Sequence, residues 1–167
     1  EQKAADLRVL GMKISIGQDT VYEKYWDEDC RRNIYSASKS FTSCAVGFAV
    51  QEGLIDLDER LMDAFKEDIP NNPDENLKKA TVKDLLTMTL GQEKGFLMGK
   101  QRPRMEEQNW VKASLAIPFV YEPGTHFVYN NVGPYLAGIL VQRRAGCDLL
   151  SYLTPRLLKP LGIRKTI

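Results

Sequence analysis

The chain has 167 residues, a formal net charge of +1, 43% hydrophobic and 27% charged residues. That length suits one domain with a core, and that composition excludes a disordered or fibrous chain. The near-neutral balance excludes the broad basic face that phosphate binding needs, so no nucleic-acid partner is expected, and the cluster Lys100, Arg102 and Arg104 reads as a solvated loop.

In chain order, LRVLGMKISI and TVYEKYW flank GQDT, and β-branched or aromatic runs around a Gly-containing break predict a hairpin with strands over 8–16 and 20–26. After DEDCRR, Phe41, Ala45, Phe48 and Ala49 follow helical spacing as far as Gly53. This predicts a long, well-buried helix beginning near Ser36, with Cys44 as a core thiol. LIDLDERLMDAF adds a turn and a short helix, and IPNNPDENL is a loop. Thr81-Val-Lys-Asp84 has the pattern of a capped helix start, with Gly91 as its expected stop.

From Gln92 to Arg104 periodicity is lost, as in a loop that rims a site. Helix is expected again over 106–116. Tyr121-Glu-Pro-Gly124 is a turn, and VGPYLAGILVQRRAG is a helix to Gly146 with Pro134 in its first turn. DLLSYL continues helically. Thr154-Pro155 is expected to restart a short helix as cap and first residue. The tally is six helices and one hairpin. Two strands alone are marginal in water, so helices or further strands would have to cover them.

No stretch approaches the ~20 apolar residues of a membrane span. Cys30, Cys44 and Cys147 leave an odd thiol without C-x-x-C spacing, so neither a disulfide framework nor a metal site is suggested, and no cofactor is called for.

Ser36-Ala37-Ser38-Lys39 is a Ser-x-x-Lys motif at the predicted start of the long helix. Residues three apart share a helix face, so the Lys39 amine can reach the Ser36 hydroxyl. A serine needs a neighbouring base to become a useful nucleophile, and a lysine can be that base where burial and positive charge lower its pKa. A chain of this length contains about one Ser-x-x-Lys by chance, and Ser36 could be a helix cap with Lys39 a solvated neighbour. Tyr129-Asn130-Asn131 follows a Pro-Gly turn and precedes a helix. There a phenol can relay a proton, and the Asn131 amide can hold the lysine and bind a substrate carbonyl. The sole histidine, His126, raises a rival Ser-His-Asp chemistry, and its bland reading is an exposed turn residue.

Taken together, NIYSASKSFTSCAVGFAVQEGLIDLDERL, TVKDLLTMTLG, YEPGTHFVYNNVGPYLAGILVQRRAG and YLTPRLLKPLGI resemble the serine β-lactamase, DD-peptidase and esterase superfamily in its class C-like branch, over nearly all of 30–163. The resemblance implies a serine hydrolase forming a covalent acyl-enzyme on a β-lactam, D-amino-acid peptide, short ester or linear amide. Ser36 would be the nucleophile, Lys39 its base, Tyr129 the second proton relay and Asn131 the substrate-binding amide. A non-catalytic ligand-binding or sensor domain of the same fold is the alternative. The family's third motif, Lys-Thr-Gly or His-x-Gly, has no match after Tyr129, since Lys165-Thr166 is followed by Ile167.

The fold expected is therefore α+β: residues 1–167 as a single incomplete domain, with a hairpin at 8–26 and a helical region at 36–163. The C-terminal strands of the β-lactamase-like fold would be absent and the isolated chain inactive or nearly so. Oligomeric state is open. The resemblance alone leans toward an extracytoplasmic bacterial setting.

Overall fold

A computed structural model describes residues 6–28 and 30–163, which fall into two units, one ending at Tyr35 and the other starting at Ser36. Lys165-Thr166, weighed above as a third motif, lies outside the described residues.

In the first unit, β1 (Gly11–Ile16) pairs antiparallel with β2 (Asp19–Tyr25), with Gly11 opposite Tyr25 and Ile16 opposite Asp19. The expected start at residue 8 is too early, because Arg8 takes a positive φ of 53° that breaks the extended run. Gly17 turns the hairpin at φ 61°, and a register irregularity falls between Ile14 and Ser15. Gly11 has a local reason to be glycine: a Cβ there would stand 2.7 Å from the Tyr25 ring. Met12, Ile14 and Ile16 alternate along β1 and are exposed.

The second unit is helical. A 3-10 turn (Tyr35–Ala37), whose first residue is the last of the first unit, leads into α1 (Ser38–Gln51), which ends before Gly53 at φ 70°. Two expectations fail here. Only Ala45, Val46 and Ala49 of α1 are buried, so the helix buries one stripe rather than its whole circumference, and Cys44 is exposed. One residue is about 100° around a helix, which carries Cys44 off the stripe that Ala45 begins.

Then come α2 (Leu61–Ala64), α3 (Glu75–Lys79) and α4 (Val82–Thr87). The Thr81 start holds: Asp84 Oδ2 accepts from the Thr81 N–H at 2.9 Å and from Thr81 Oγ1 at 2.8 Å. The stop does not fall at Gly91 but at Met88, left-handed at φ 58°. Gly91 serves a different need. At φ 93°, with a Cβ that would collide with the Tyr121 carbonyl, it allows two chain segments to meet, and Tyr121 N–H donates to Gly91 O at 2.9 Å.

Helix α5 (Trp110–Leu115) is shorter than expected, because Asn109 caps it, its Oδ1 accepting from the N–H groups of Val111 (3.0 Å) and Lys112 (3.2 Å). Helix α6 (Val132–Ala145) ends at Gly146, φ 67°, as its sequence predicts. Helix α7 (Leu149–Leu153) runs straight into a π-type turn (Thr154–Leu158). Thr154 is thus not an N-cap: it is helical, follows directly on α7, and its hydroxyl donates back to Leu150 O at 2.7 Å. The widened turn, closed by Lys159 N–H on Thr154 O at 2.9 Å, accommodates Pro155, which has no N–H to give. The described residues thus hold seven α-helices rather than six.

The core joins α1, α4, α6 and α7. Small residues set the spacing: Ala45 and Ala49 of α1 are fully buried, and Gly133 of α6 lies so close to the Leu85 carbonyl of α4 that a Cβ would overlap it. Leu136, Leu140 and Val141 of α6, Leu115 of α5 and Tyr152 of α7 fill the interior. Buried Asp68 accepts from Asn109 Nδ2 at 2.8 Å and Arg143 Nη1 at 2.7 Å, tying the segment after α2 to the start of α5 and the end of α6.

Candidate active site

Ser36 sits in the 3-10 turn, and the cap position of α1 is Ala37, which makes no side-chain cap. The Ser36 hydroxyl is therefore not spent on closing the helix. Lys39, one turn on and half-buried, reaches it with Nζ 2.9 Å from Ser36 Oγ. This is the geometry that three-residue spacing on a helical turn provides.

Tyr129 arrives from 93 residues away along the chain, and its hydroxyl stands 2.7 Å from the same Oγ. The path that delivers it is pinned to the end of α4: Gly124 N–H donates to Thr89 O at 2.9 Å and Val128 N–H to Met88 O at 3.0 Å. The left-handed turn at Met88 is thus part of what aims the tyrosine. Lys39 Nζ also lies 5.2 Å from the Tyr129 ring centre. The Ser36 hydroxyl beside the phenol, and then the Lys39 ammonium, hold Tyr129 below the ordinary tyrosine pKa.

Of the four residues singled out in the sequence, the structure brings Ser36, Lys39 and Tyr129 into direct contact. Asn131 makes different partners from those expected. Its Nδ2 donates to Leu97 O at 2.9 Å and lies 3.5 Å from Met98 Sδ, and its N–H donates to Phe96 O at 3.2 Å. A carbonyl can only accept, so this contact fixes which end of the amide is nitrogen. Asn131 holds the loop 92–104 rather than Lys39. His126 sits in the turn, stacked on Tyr121 at 4.1 Å with Nδ1 2.8 Å from Thr125 Oγ1.

Two contributors were not read from the sequence. Asn130 is buried one residue ahead of Asn131, the cap position of α6, and its Oδ1 accepts from Gly133 N–H in the first turn at 3.0 Å while its Nδ2 donates to Val128 O at 2.9 Å. An asparagine just ahead of a helical run is a legible cap signal, and here the side chain of the residue before the cap position meets a first-turn N–H while that of Asn131 turns to the loop. Arg102 donates through Nε to Leu97 O at 3.0 Å, the carbonyl that Asn131 also engages. Nothing in an aperiodic loop announces such a contact. No grouping of three His, Cys, Asp or Glu suited to a metal ion occurs among the described residues, and no described helix is long and apolar enough to cross a membrane.

An α+β scaffold that sets a helix-borne serine and lysine against a tyrosine on the turn before a second long helix is of the class built by the β-lactamase fold. The Beta-lactamase family profile matches residues 1–167, and the chain belongs to that family. It is 31% identical over 157 residues to the monacolin J acid methylbutanoyltransferase of Aspergillus terreus, covering 82% of this chain and 37% of that protein. It is also 31% identical over 150 residues to the lovastatin esterase of Penicillium rubens, covering 77% of this chain and 37% of the relative. Among solved structures, the octameric penicillin-binding protein homologue of Pyrococcus abyssi superposes with a TM-score of 0.75 at 25% identity, over 98% of this chain and 42% of that one. The chain therefore spans somewhat over a third of the length of these curated relatives.

Proposed function

We propose that the protein containing this chain is an active-site-serine enzyme that moves an acyl group from an ester or amide through a covalent intermediate on Ser36. The observation that carries the reading is the convergence of Lys39 Nζ at 2.9 Å and Tyr129 Oη at 2.7 Å on one serine oxygen. A hydroxyl with two titratable partners has a route for its proton when it attacks.

In the first half-reaction Ser36 Oγ bonds to the substrate carbonyl carbon, and its proton passes to the Lys39–Tyr129 pair. Collapse of the tetrahedral adduct breaks the bond to the leaving oxygen or nitrogen, which takes that proton away. In the second half-reaction a water or alcohol gives its proton to the same pair, attacks the acyl carbon and releases Ser36 Oγ, which is reprotonated. Water yields hydrolysis; an alcohol yields transfer. The lowered pKa of Tyr129 supports its role as the relay that can become an anion. The names of two relatives, one an acyltransferase and one an esterase, favour an ester over a β-lactam as substrate. Asn131 would bind the substrate's carbonyl side only by giving up or sharing its bond to Leu97.

The test is labelling of the full-length gene product with a fluorophosphonate and a fluorescent penicillin, beside Ser36→Ala. Fluorophosphonate labelling that disappears in Ser36→Ala is expected, with turnover of a reactive ester falling by up to roughly a millionfold. A folded full-length protein that neither probe labels would instead be a ligand-binding domain of the same fold.

A further inference from the structure

Alongside the Tyr129–Asn131 segment runs the stretch Gly95–Met98. Gly95 lies against the Tyr129 backbone, where a Cβ would stand 2.7 Å from the Tyr129 carbonyl oxygen, and the next carbonyl, Phe96 O, accepts from Asn131 N–H at 3.2 Å. The backbone of Phe96 therefore abuts the segment that carries Tyr129 and Asn131, while its side chain lines a cavity of about 430 Å³. That volume is within the ~300–1,000 Å³ range of small-molecule pockets. Of the half-buried residues of the cavity, Phe96, Met105 and Ala113 are apolar and Gln101 is polar, its Oε1 already accepting from Met98 N–H at 2.8 Å, whereas the charged residues Lys100, Arg104, Glu106 and Glu107 are exposed. Two cations and two carboxylates cancel at the mouth, and one of the carboxylates is already engaged, Glu107 Oε1 accepting from Asn109 N–H at 2.7 Å. A site built this way gains from burying neutral apolar surface and gains little from a charged group.

From this juxtaposition we infer that the cavity of Phe96, Met105 and Ala113 receives the neutral apolar acyl arm of the substrate ester, and that these three side chains set the length and bulk of acyl group accepted. The inference rests on the acyl-transfer reading above and adds the substrate class to it. The acyl group stays on Ser36 through both half-reactions, so a pocket next to the Asn131 segment acts on both. The alcohol or water changes partners outside it.

The test compares p-nitrophenyl acetate with p-nitrophenyl octanoate in the full-length gene product. Each methylene that enters the cavity is worth up to about fourfold in kcat/KM, so the octanoate-to-acetate ratio is expected to exceed about tenfold. Ala113→Phe fills the cavity from α5 and should lower that ratio by about tenfold. Because a phenylalanine in α5 can also disturb folding, Met105→Trp fills the same space from the loop and should lower the ratio likewise. A ratio unmoved in both variants, or a parallel loss on both esters, overturns the inference. Should neither ester turn over and Ser36 stay unlabelled, the acyl-transfer reading fails separately, and the cavity is then read with the neutral fluorophore prodan on Ser36→Ala protein. A blue shift that Met105→Trp abolishes would keep an apolar ligand site here. No blue shift would remove it.

Discussion

At the level of single residues, the phenol of Tyr129 is tuned by Ser36 first and Lys39 second, both lowering its pKa. The sign is simple: a cation next to the phenol favours its anion, so Lys39→Met should raise the Tyr129 pKa toward the free value of about 10. Tyrosine 13Cζ NMR measures this directly, with Tyr129→Phe assigning the signal, and an unmoved titration would detach Lys39 from the phenol. A second expectation concerns Arg102. Its Nε and the Asn131 amide share the Leu97 carbonyl, and Leu97 holds a positive φ of 56° that a leucine adopts at some cost. Arg102→Ala should loosen that carbonyl and with it the orientation of Asn131. KM for an ester is expected to rise roughly two- to tenfold, with a smaller change in kcat, and Arg102→Lys should rescue little of it because the contact is through Nε. The Ser36–Lys39 pairing was legible because both residues lie on one helical turn. The proximity of Tyr129 came only through family resemblance, since no local pattern closes a gap of 93 residues. The contact of Asn131 with Leu97, in place of one with Lys39, was not legible because the loop it holds has no periodicity to read.

Elements show the same division between local signal and packing. The existence of α1, α4 and α6 follows from helical spacing and punctuation, and the Thr81–Asp84 box is visible in four letters. Boundaries moved wherever a specific cap or contact intervened, as at Asn109 ahead of α5 and Met88 after α4. Gly91 shows the ambiguity most clearly: a glycine after a helix reads as its stop, yet this one is required by the Tyr121 carbonyl passing over it. Gly133 is the comparable case inside α6. Gly133→Ala places a methyl against the Leu85 carbonyl, and since backbone cannot rotate aside, α4 and α6 must separate. Such overpacking costs about 1–3 kcal/mol, to be read as a lower urea midpoint with m unchanged. Because Asn130 accepts from the N–H of this same residue, the variant should also slow labelling of Ser36 by shifting Tyr129. Normal labelling at reduced stability would show that the α6 start and the site are uncoupled.

For the whole molecule, the question is what residues 1–167 can do alone. They match the Beta-lactamase profile throughout, yet span 37% of the length of two curated relatives. The sequence contains neither Lys-Thr-Gly nor His-x-Gly, the motif that by family resemblance lines the far side of the cleft and supplies a second oxyanion donor. One such donor is worth on the order of a hundredfold to a thousandfold in rate. Ser36, Lys39 and Tyr129, the proposed nucleophile and its proton partners, lie within the described helical unit, and on the acyl-transfer reading attack on a strongly activated phosphonate should depend less on that donor than carbonyl turnover does. The two probes should therefore separate. In a folded preparation of residues 1–167, fluorophosphonate labelling of Ser36 should persist at a reduced rate, whereas hydrolysis of p-nitrophenyl acetate should fall at least about a hundredfold below that of the full-length gene product. Equal turnover by the two forms would mean that both oxyanion donors lie within these 167 residues, and the place to look for the second would be the backbone N–H groups of the loop 92–104 beside Asn131.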